Sequence, residues 1–529
     1  MYFKKSRISP MTRLSLPLIA AGLILSGCND TRDLAPERAD RAWHPHKSTG
    51  LSLPASIRAP SFTAGSDGIN AGGNTSALMT RPDHPGMVLP ESQDRALSLP
   101  QLIDLAERNN PRTRVAWEAA RQAAIGVGMS RAAMLPQLTF SAMGGFQRMA
   151  LPLPNYLSSR GYLTSNGAAA FPKLELDYLL LDFGRTRAQI NEAKYQTLAA
   201  NFGFSAVHQQ LILDVISAYH AQQAAQAIVA ASHHAVENMA ILLQSAQSRH
   251  DHGEATIIDV ATAQRNLAQA RFDLDKANDA EHGARHALLE VTGLPATLPL
   301  AIDAMPARAL PRSTPGQIRQ LVDQALASRP DLMADIAKLR ASDEAVLASK
   351  AALRPRVAFA GTASGYLGGL KTYGTGRNAP ASTIAQPEAG AFLQVSWPIY
   401  QGGLRANAIH MAESRRDEAE ATLLKDRLSI ERQVADSQDA LETALAQVKS
   451  AEVLNRAAQT ANDGATQAYA HGVGTMTDAS TAAAALFEAQ AALAVSTAQA
   501  FTKAAALAHA TGQLDLVNNV PDTLSDSVP

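Results

Sequence analysis

The chain repeats itself at one fixed spacing over most of its length. Asn110-Pro111 returns as Arg329-Pro330, an offset of 219 positions (330 − 111 = 219). At the same offset Leu135-Pro136 returns as Arg354-Pro355, and Leu181-Asp182-Phe183-Gly184 as Tyr400-Gln401-Gly402-Gly403. His252-Gly253 with Asp259 returns as His471-Gly472 with Asp478, and Thr292-Gly293 as Thr511-Gly512. The period far exceeds the roughly 20–50 residues of a solenoid repeat. It predicts a duplicated domain-sized unit whose two copies sit about an approximate symmetry axis. The expected division is a leader at 1–27, an irregular arm at 28–97 and a first repeat at 98–296. A linker at 297–317, a second repeat at 318–514 and a tail at 515–529 follow.

The leader begins with Lys4, Lys5 and Arg7 and continues into an apolar run from Leu14 to Ile24. A basic start, a short apolar stretch and small residues describe a secretory signal rather than a membrane span. Leu25-Ser26-Gly27-Cys28 resembles the lipobox of bacterial lipoproteins, which implies that Cys28 is lipidated and becomes the first mature residue. The alternative is an ordinary signal with a cysteine there by chance. Cys28 is the only cysteine, so no internal disulfide can form. Asn29 rather than Asp follows it, and by the same resemblance this points to the outer membrane.

Composition narrows the class. The net charge is −1, with 5% aromatic and 18% charged residues, which gives no long-range attraction for nucleic acid. Beyond the leader no run of 18 apolar residues occurs, so no membrane-spanning helix is expected. Low aromatic content and long proline-free stretches also differ from an ordinary enzyme of this size.

Local patterns predict the elements. Ser98 is a candidate N-cap with Gln101 three residues on, opening a helical segment over 98–134. Pro111 interrupts it, because proline clashes with the preceding turn. Gln137, Thr139 and Ser141 then alternate with Leu138, Phe140 and Ala142, the period of a strand with one apolar face. Lys173, Glu175 and Asp177 alternate with Leu174, Leu176 and Tyr178. A loop over about 149–170 is expected between these strands. The second copy has strands around Val357–Gly361 and Ala391–Trp397, with a loop from Leu367 to Pro387. The glycine-rich stretch Gly365–Gly376 belongs to that loop, since it lacks the Gly-Lys-Ser/Thr ending of a phosphate loop. Strands of about ten residues cross a bilayer at a tilt near 45°. Residues 184–250 hold no proline and carry apolar residues at helical spacing, which is roughly 100 Å of helix. A turn at Gly253 and a returning helix over Ile257–Val291 complete a long hairpin. Leu404–Ala470, a turn at Gly472 and Met476–Ala510 repeat it.

Four strands cannot close a barrel, and an open edge in lipid leaves backbone groups unpaired at several kcal/mol each. Closed barrels begin at about eight strands. The strands must be pooled between identical chains: two supply eight, three supply twelve.

The ordered set of helix, proline, strand, loop, strand, Phe-Gly or Gly-Gly, long helix, His-Gly turn and Asp, present twice over about 98–514, resembles the TolC-type outer-membrane efflux proteins. With Cys28, it resembles the lipoprotein (NodT-type) branch. The resemblance implies an α+β membrane protein: a trimeric 12-stranded transmembrane β-barrel, four strands per chain, continued by a long α-helical periplasmic tunnel. It implies a homotrimer in the cell outer membrane, lipid-anchored and barrel-inserted, extending into the periplasm. Its partners would be outer-membrane lipid, a periplasmic adaptor (membrane fusion) protein and an inner-membrane pump, with no nucleic acid. The implied function is the passive exit duct of a tripartite efflux pump. The alternatives are the outer-membrane component of a type I protein secretion system and, of another class, a periplasmic coiled-coil structural lipoprotein.

In that family the turns at Gly253–Asp259 and Gly472–Asp478 dock the adaptor and narrow the pore, and Tyr469 and Asp478 match positions lining the closed aperture. Three Asp478 carboxylates around a narrow axis would repel one another and favour cations. The chain departs from the family pattern in having Gly474 where an Arg stands and Thr481 where another Asp stands, so the tip latch is incomplete. The plainer reading of Asp259 and Asp478 is a helix N-terminal carboxylate that complements the dipole. His250-Asp251-His252 and the pair His282/His286 have metal-compatible spacing, but no carboxylate or cysteine cluster completes a site. They read as surface histidines, and no metal or cofactor is expected. Gly361–Gly365 lacks nucleophile-elbow spacing, and no enzyme activity is expected. Arg185, Arg187 and Arg405 read as side chains reaching head groups rather than substrate contacts.

Overall fold

A computed structural model describes residues 31, 34–43, 96–152, 154, 161–303, 317–373 and 382–514. The elements run α1 (Leu99–Asn109), α2 (Pro111–Ala132), β1 (Gln137–Pro152), β2 (Tyr162–Leu181), α3 (Arg185–Asp251) and α4 (Ile257–Thr292). The same series follows as α5 (Ile318–Ser328), α6 (Pro330–Ala351), β3 (Arg356–Tyr373), β4 (Ser382–Ser396), α7 (Leu404–Ala470) and α8 (Met476–Ala510). Pro111 and Pro330 each stand at the first position of a helix, where their missing N–H costs nothing. Both α3 and α7 are 67 residues long. Cys28 lies outside the described residues.

Contacts divide the chain into two compact units that cut across the duplication. One comprises 1–35, 121–198 and 337–421; the other comprises 36–120, 199–336 and 422–529. Each draws from both repeats.

The first unit is built on one antiparallel sheet in the order β1-β2-β3-β4. The pairing of β2 with β3 joins the first repeat to the second. Register places Gln137 opposite Asp177, Asp177 opposite Ala360 and Ala360 opposite Phe392. Alternation therefore gives one face to Thr139, Ser141, Lys173, Glu175, Thr362 and Gln394. The other carries Leu138, Phe140, Leu176, Phe359, Leu393 and Val395.

The strands are 16, 20, 18 and 15 residues long, which corrects the expected ten. The pairing continues to Pro152 opposite Tyr162 and to Leu370 opposite Ser382, through most of the segments expected to be loops. Gly365–Tyr373 is strand β3, not loop. The physical reason is that ladder hydrogen bonds come from backbone alone, so Gly-, Ser- and Asn-rich sequence can extend a sheet with no apolar alternation to announce it. At about 3.3 Å per residue these strands reach well past a bilayer core, so the added length has no lipid-facing side to select apolar residues.

The second unit carries two matching cores. One gathers Leu102, Ala106, Leu211, Val215 and Leu288 with Leu97, Ile302 and Leu514. The other gathers Leu321, Ala325, Ile430, Val434 and Leu507, the same positions displaced by the repeat. Burying each leucine stabilises by roughly 1.5–3 kcal/mol relative to exposure. Two features here were not read from sequence. Leu97 forms a parallel bridge with Ile302, its N–H donating to the Ala301 carbonyl at 3.0 Å. Part of the arm is also held: the Trp43 ring meets Phe202 edge-on at 5.3 Å, and Ser205 Oγ donates to the Trp43 carbonyl at 2.8 Å. His208, fully buried, has Nε2 3.1 Å from the Ala39 carbonyl and Nδ1 3.3 Å from Glu107 Oε1.

Candidate functional site at the helical turns

Each long hairpin turns in the same way. Gly253 has φ +79°, and Gly472 has φ +78°. At the first turn Gly253 N–H donates to the His250 carbonyl at 2.9 Å and Glu254 N–H to the Arg249 carbonyl at 2.8 Å. At the second, Gly472 N–H donates to the Tyr469 carbonyl at 3.1 Å and Val473 N–H to the Ala468 carbonyl at 3.0 Å. This pair of bonds closes a helix on a left-handed residue, a conformation glycine adopts without a Cβ penalty.

The returning helices open on capping boxes. Thr256 Oγ1 accepts from Asp259 N–H at 3.2 Å, and Asp259 Oδ2 accepts from Thr256 N–H at 2.9 Å. Thr475 and Asp478 repeat the exchange at 3.1 and 3.4 Å. Both aspartates thus satisfy otherwise unpaired amides and complement the helix dipole, the plainer of the two roles expected for them. The Thr256 amide, then its hydroxyl, holds the Asp259 carboxyl below its ordinary value.

Tyr469 is buried among Met239, Leu242, Val260, Leu267 and Met476. Its hydroxyl has no hydrogen-bond partner among the described residues, and burial pushes the phenol pKa up. Arg249 comes from the other hairpin and was missed in the sequence. Its Nη1 donates to the Tyr469 carbonyl at 2.8 Å, and its guanidinium lies 5.0 Å from the Tyr469 ring centroid. The signal was a difference between copies: the repeat equivalent of Arg249 is Ala468. Gly474 has its own steric reason. A Cβ there would meet Ala468 Cβ at 3.0 Å and the Tyr469 amide at 3.1 Å. The guanidinium at this turn arrives from the first hairpin while position 474 stays bare.

His250 Nδ1 and His252 Nδ1 face the Ala255 and Ser248 carbonyls at 3.1 and 2.6 Å. Among the described residues no group of three or more His, Cys, Asp or Glu side chains is placed to hold a metal ion. Arg405 donates through Nε to Gln401 at 2.9 Å and through Nη1 to the Pro398 carbonyl at 3.2 Å.

The sequence profile of the outer membrane efflux proteins matches residues 102–294 and again 321–513, two spans separated by the same 219 positions. The chain belongs to the outer membrane efflux protein family. This efflux protein is 27% identical over 387 residues to outer membrane protein OprJ of Pseudomonas aeruginosa, covering 71% of this chain and 75% of OprJ. It is 30% identical over 357 residues to the solvent efflux pump outer membrane protein SrpC of Pseudomonas putida, covering 64% of this chain and 69% of SrpC. Among solved structures, the CmeC outer membrane channel of Campylobacter jejuni shares its fold with a TM-score of 0.66 at 18% identity, over 84% of this chain and 94% of CmeC. The outer-membrane channel OprN does so with a TM-score of 0.64 at 22% identity, over 81% and 95%. The efflux protein is therefore an outer-membrane channel component, with four strands and two long helical hairpins among the described residues.

Proposed function

We propose that three copies of this efflux protein close one barrel of twelve strands and form the passive exit duct of a tripartite pump for small molecules. The observation that carries this reading is the sheet itself. It ends on β1 and β4, whose outer edges pair with no other strand among the described residues. Its apolar face leaves Phe140 69%, Phe146 74% and Leu393 65% exposed. A sheet with open edges and an uncovered apolar face is unstable in water and in lipid alike until edges pair and the face meets acyl chains. The two repeats, 98–296 and 318–514, supply two strands and one helical hairpin each.

The turns are the periplasmic aperture: Gly253, Asp259, Gly472 and Asp478 form the surface that meets an adaptor protein linked to an inner-membrane pump. Tyr469, expected from the sequence to line the aperture, is buried beneath it and shapes the turn from inside. Arg249 braces Tyr469 in place of a latch arginine at 474. Cys28 is the lipid attachment site, which places the chain in the NodT-type branch. The test uses the purified full chain. A band that migrates as a trimer until boiled, with discrete single-channel currents in planar bilayers, is expected. Asp478→Ala should lower the preference for potassium over chloride. A protein that stays monomeric and passes no current would sink the duct, and unchanged ion preference in Asp478→Ala would remove that carboxylate from the pore lining.

A further inference from the structure

At the end of the sheet where the strands meet the helices lies a cavity of about 470 Å³. Four guanidiniums line it: Arg185 opening α3, Arg354 before β3, Arg356 opening β3 and Arg405 opening α7. The lining includes a single carboxylate, Asp182, and it is already committed. Its Oδ1 accepts from Gly184 N–H at 3.2 Å and its Oδ2 from Thr186 N–H at 2.7 Å, capping α3. None of the four guanidiniums forms an ion pair with a carboxylate among the described residues. Arg405 is turned by Gln401 and the Pro398 carbonyl, and Arg354 lies 5.7 Å from the Phe183 ring centroid. Both contacts orient a positive charge without neutralising it.

The sheet residues lining this cavity are Gln137, Leu179, Arg356 and Ser396. Register puts all four on one face, that of Thr139, Glu175 and Thr362. In a transmembrane barrel the apolar face meets lipid and the polar face meets the lumen. The guanidiniums therefore gather on the channel side, which distinguishes them from side chains that reach outward to head groups.

We propose that this arginine cavity binds the oxyanion of anionic cargo, a phosphate, sulfate or carboxylate group, where the helical passage opens into the barrel. The proposal rests on the duct reading for its lumenal placement. Four like charges converging with no free counter-charge are stabilised by an oxyanion, and the planar guanidinium fork matches its geometry. Three cavities would ring the lumen in the trimer. The site discriminates by charge, and it tolerates varied apolar bodies because the contacts involve only the anionic group.

The test measures binding of inorganic phosphate to the detergent-purified full chain by equilibrium dialysis, and phosphate block of chloride current in bilayers. We expect saturable binding and block in the wild type, weakened about tenfold or more in Arg185→Gln/Arg356→Gln, since each lost charge-assisted bond is a large part of such an affinity. Arg187→Gln, outside the cavity, should leave both unchanged. Arg185→Lys/Arg356→Lys should restore part of the block by charge alone. Equal binding in the double glutamine variant and the wild type would overturn the site. Binding that is lost in the variant while current is never blocked would overturn its lumenal placement. Retention of a membrane phospholipid by wild type but not variant, undisplaced by added phosphate, would make it a head-group site and overturn the cargo role. Loss of all conductance with phosphate binding intact would fault the duct and leave the cavity as an oxyanion site.

Discussion

Gly293 and Gly512 are repeat equivalents, and both have φ +71°. A Cβ on Gly293 would lie 2.8 Å from the Asn109 backbone carbon and oxygen; on Gly512 it would lie 2.7 Å from Ser328 Oγ. Each glycine lets the end of a returning helix seat against the junction of the two short helices. Asn110 Nδ2 donates to the Val291 carbonyl at 2.7 Å, and Arg329 Nη1 reaches the equivalent Ala510 carbonyl at 3.4 Å. Gly293→Ala should cost about 2 kcal/mol, from a left-handed alanine plus overlap with fixed backbone. Gly512→Ala should cost less, because its one contact under 3.0 Å is a hydroxyl that can rotate away, while the backbone atoms Arg329 N and Ser328 C stand off at 3.1 Å. Thermal loss of the folded band would rank the two, and the reverse order would show that backbone overlap is not the cause. Arg329 is buried and forks onto Asp331 at 2.6 and 3.0 Å. Burial pushes the Asp331 carboxyl up, yet the Arg329 bonds and charge outweigh it and hold it below its ordinary value. A depressed carboxyl stabilises above its unfolded pKa of about 3.9, and that contribution disappears as pH falls through the folded value. Asp331→Asn should therefore lower thermal stability at neutral pH, with the gap narrowing as pH falls below the unfolded value and through the lower folded one. A gap independent of pH would rule out the ion pair as its source.

At the scale of elements, the helix ends are governed by local chemistry that recurs in both copies. The strand-to-helix junctions use two successive left-handed residues, Phe183 and Gly184 at φ +56° and +93°, then Gly402 and Gly403 at +59° and +82°. Phe183 is the single non-glycine residue with positive φ among the described residues, and Arg354 rests against its ring. The long helices gain from their caps only at their ends. Thr475→Ala should cost about 1 kcal/mol and act locally. Hydrogen exchange of the amides of residues 476–479 should quicken while α8 beyond its first turns is unaffected. Exchange unchanged in that turn would mean the box contributes nothing there.

The whole molecule is a case of incomplete closure. One chain pairs β2 with β3 but leaves β1 and β4 with open edges among the described residues, and an apolar face with nothing over it. The lipid proposed at Cys28 would add to barrel insertion rather than substitute for it. A closed barrel is held in the bilayer by its whole apolar band, with or without an attached lipid. Cys28→Ala should therefore still reach the outer membrane and still run as a trimer. Recovery of that variant as a soluble periplasmic protein would show that the anchor, not the barrel, holds the chain in place.

The duplication, the order of elements, the helix stops and the two faces of the sheet could be read from the residues alone. Each of these is written in local chemistry: a proline without an N–H, a glycine that accepts positive φ, a period of two or of 3.6. The fold set the strand lengths, because backbone pairing extends through Gly, Ser and Asn without side-chain periodicity. It alone set Arg249 against Tyr469, joined Leu97 to Ile302 and gathered Arg185, Arg354, Arg356 and Arg405 around one cavity. Those meetings depend on register and on how distant segments close on one another, and no residue's own preferences encode them.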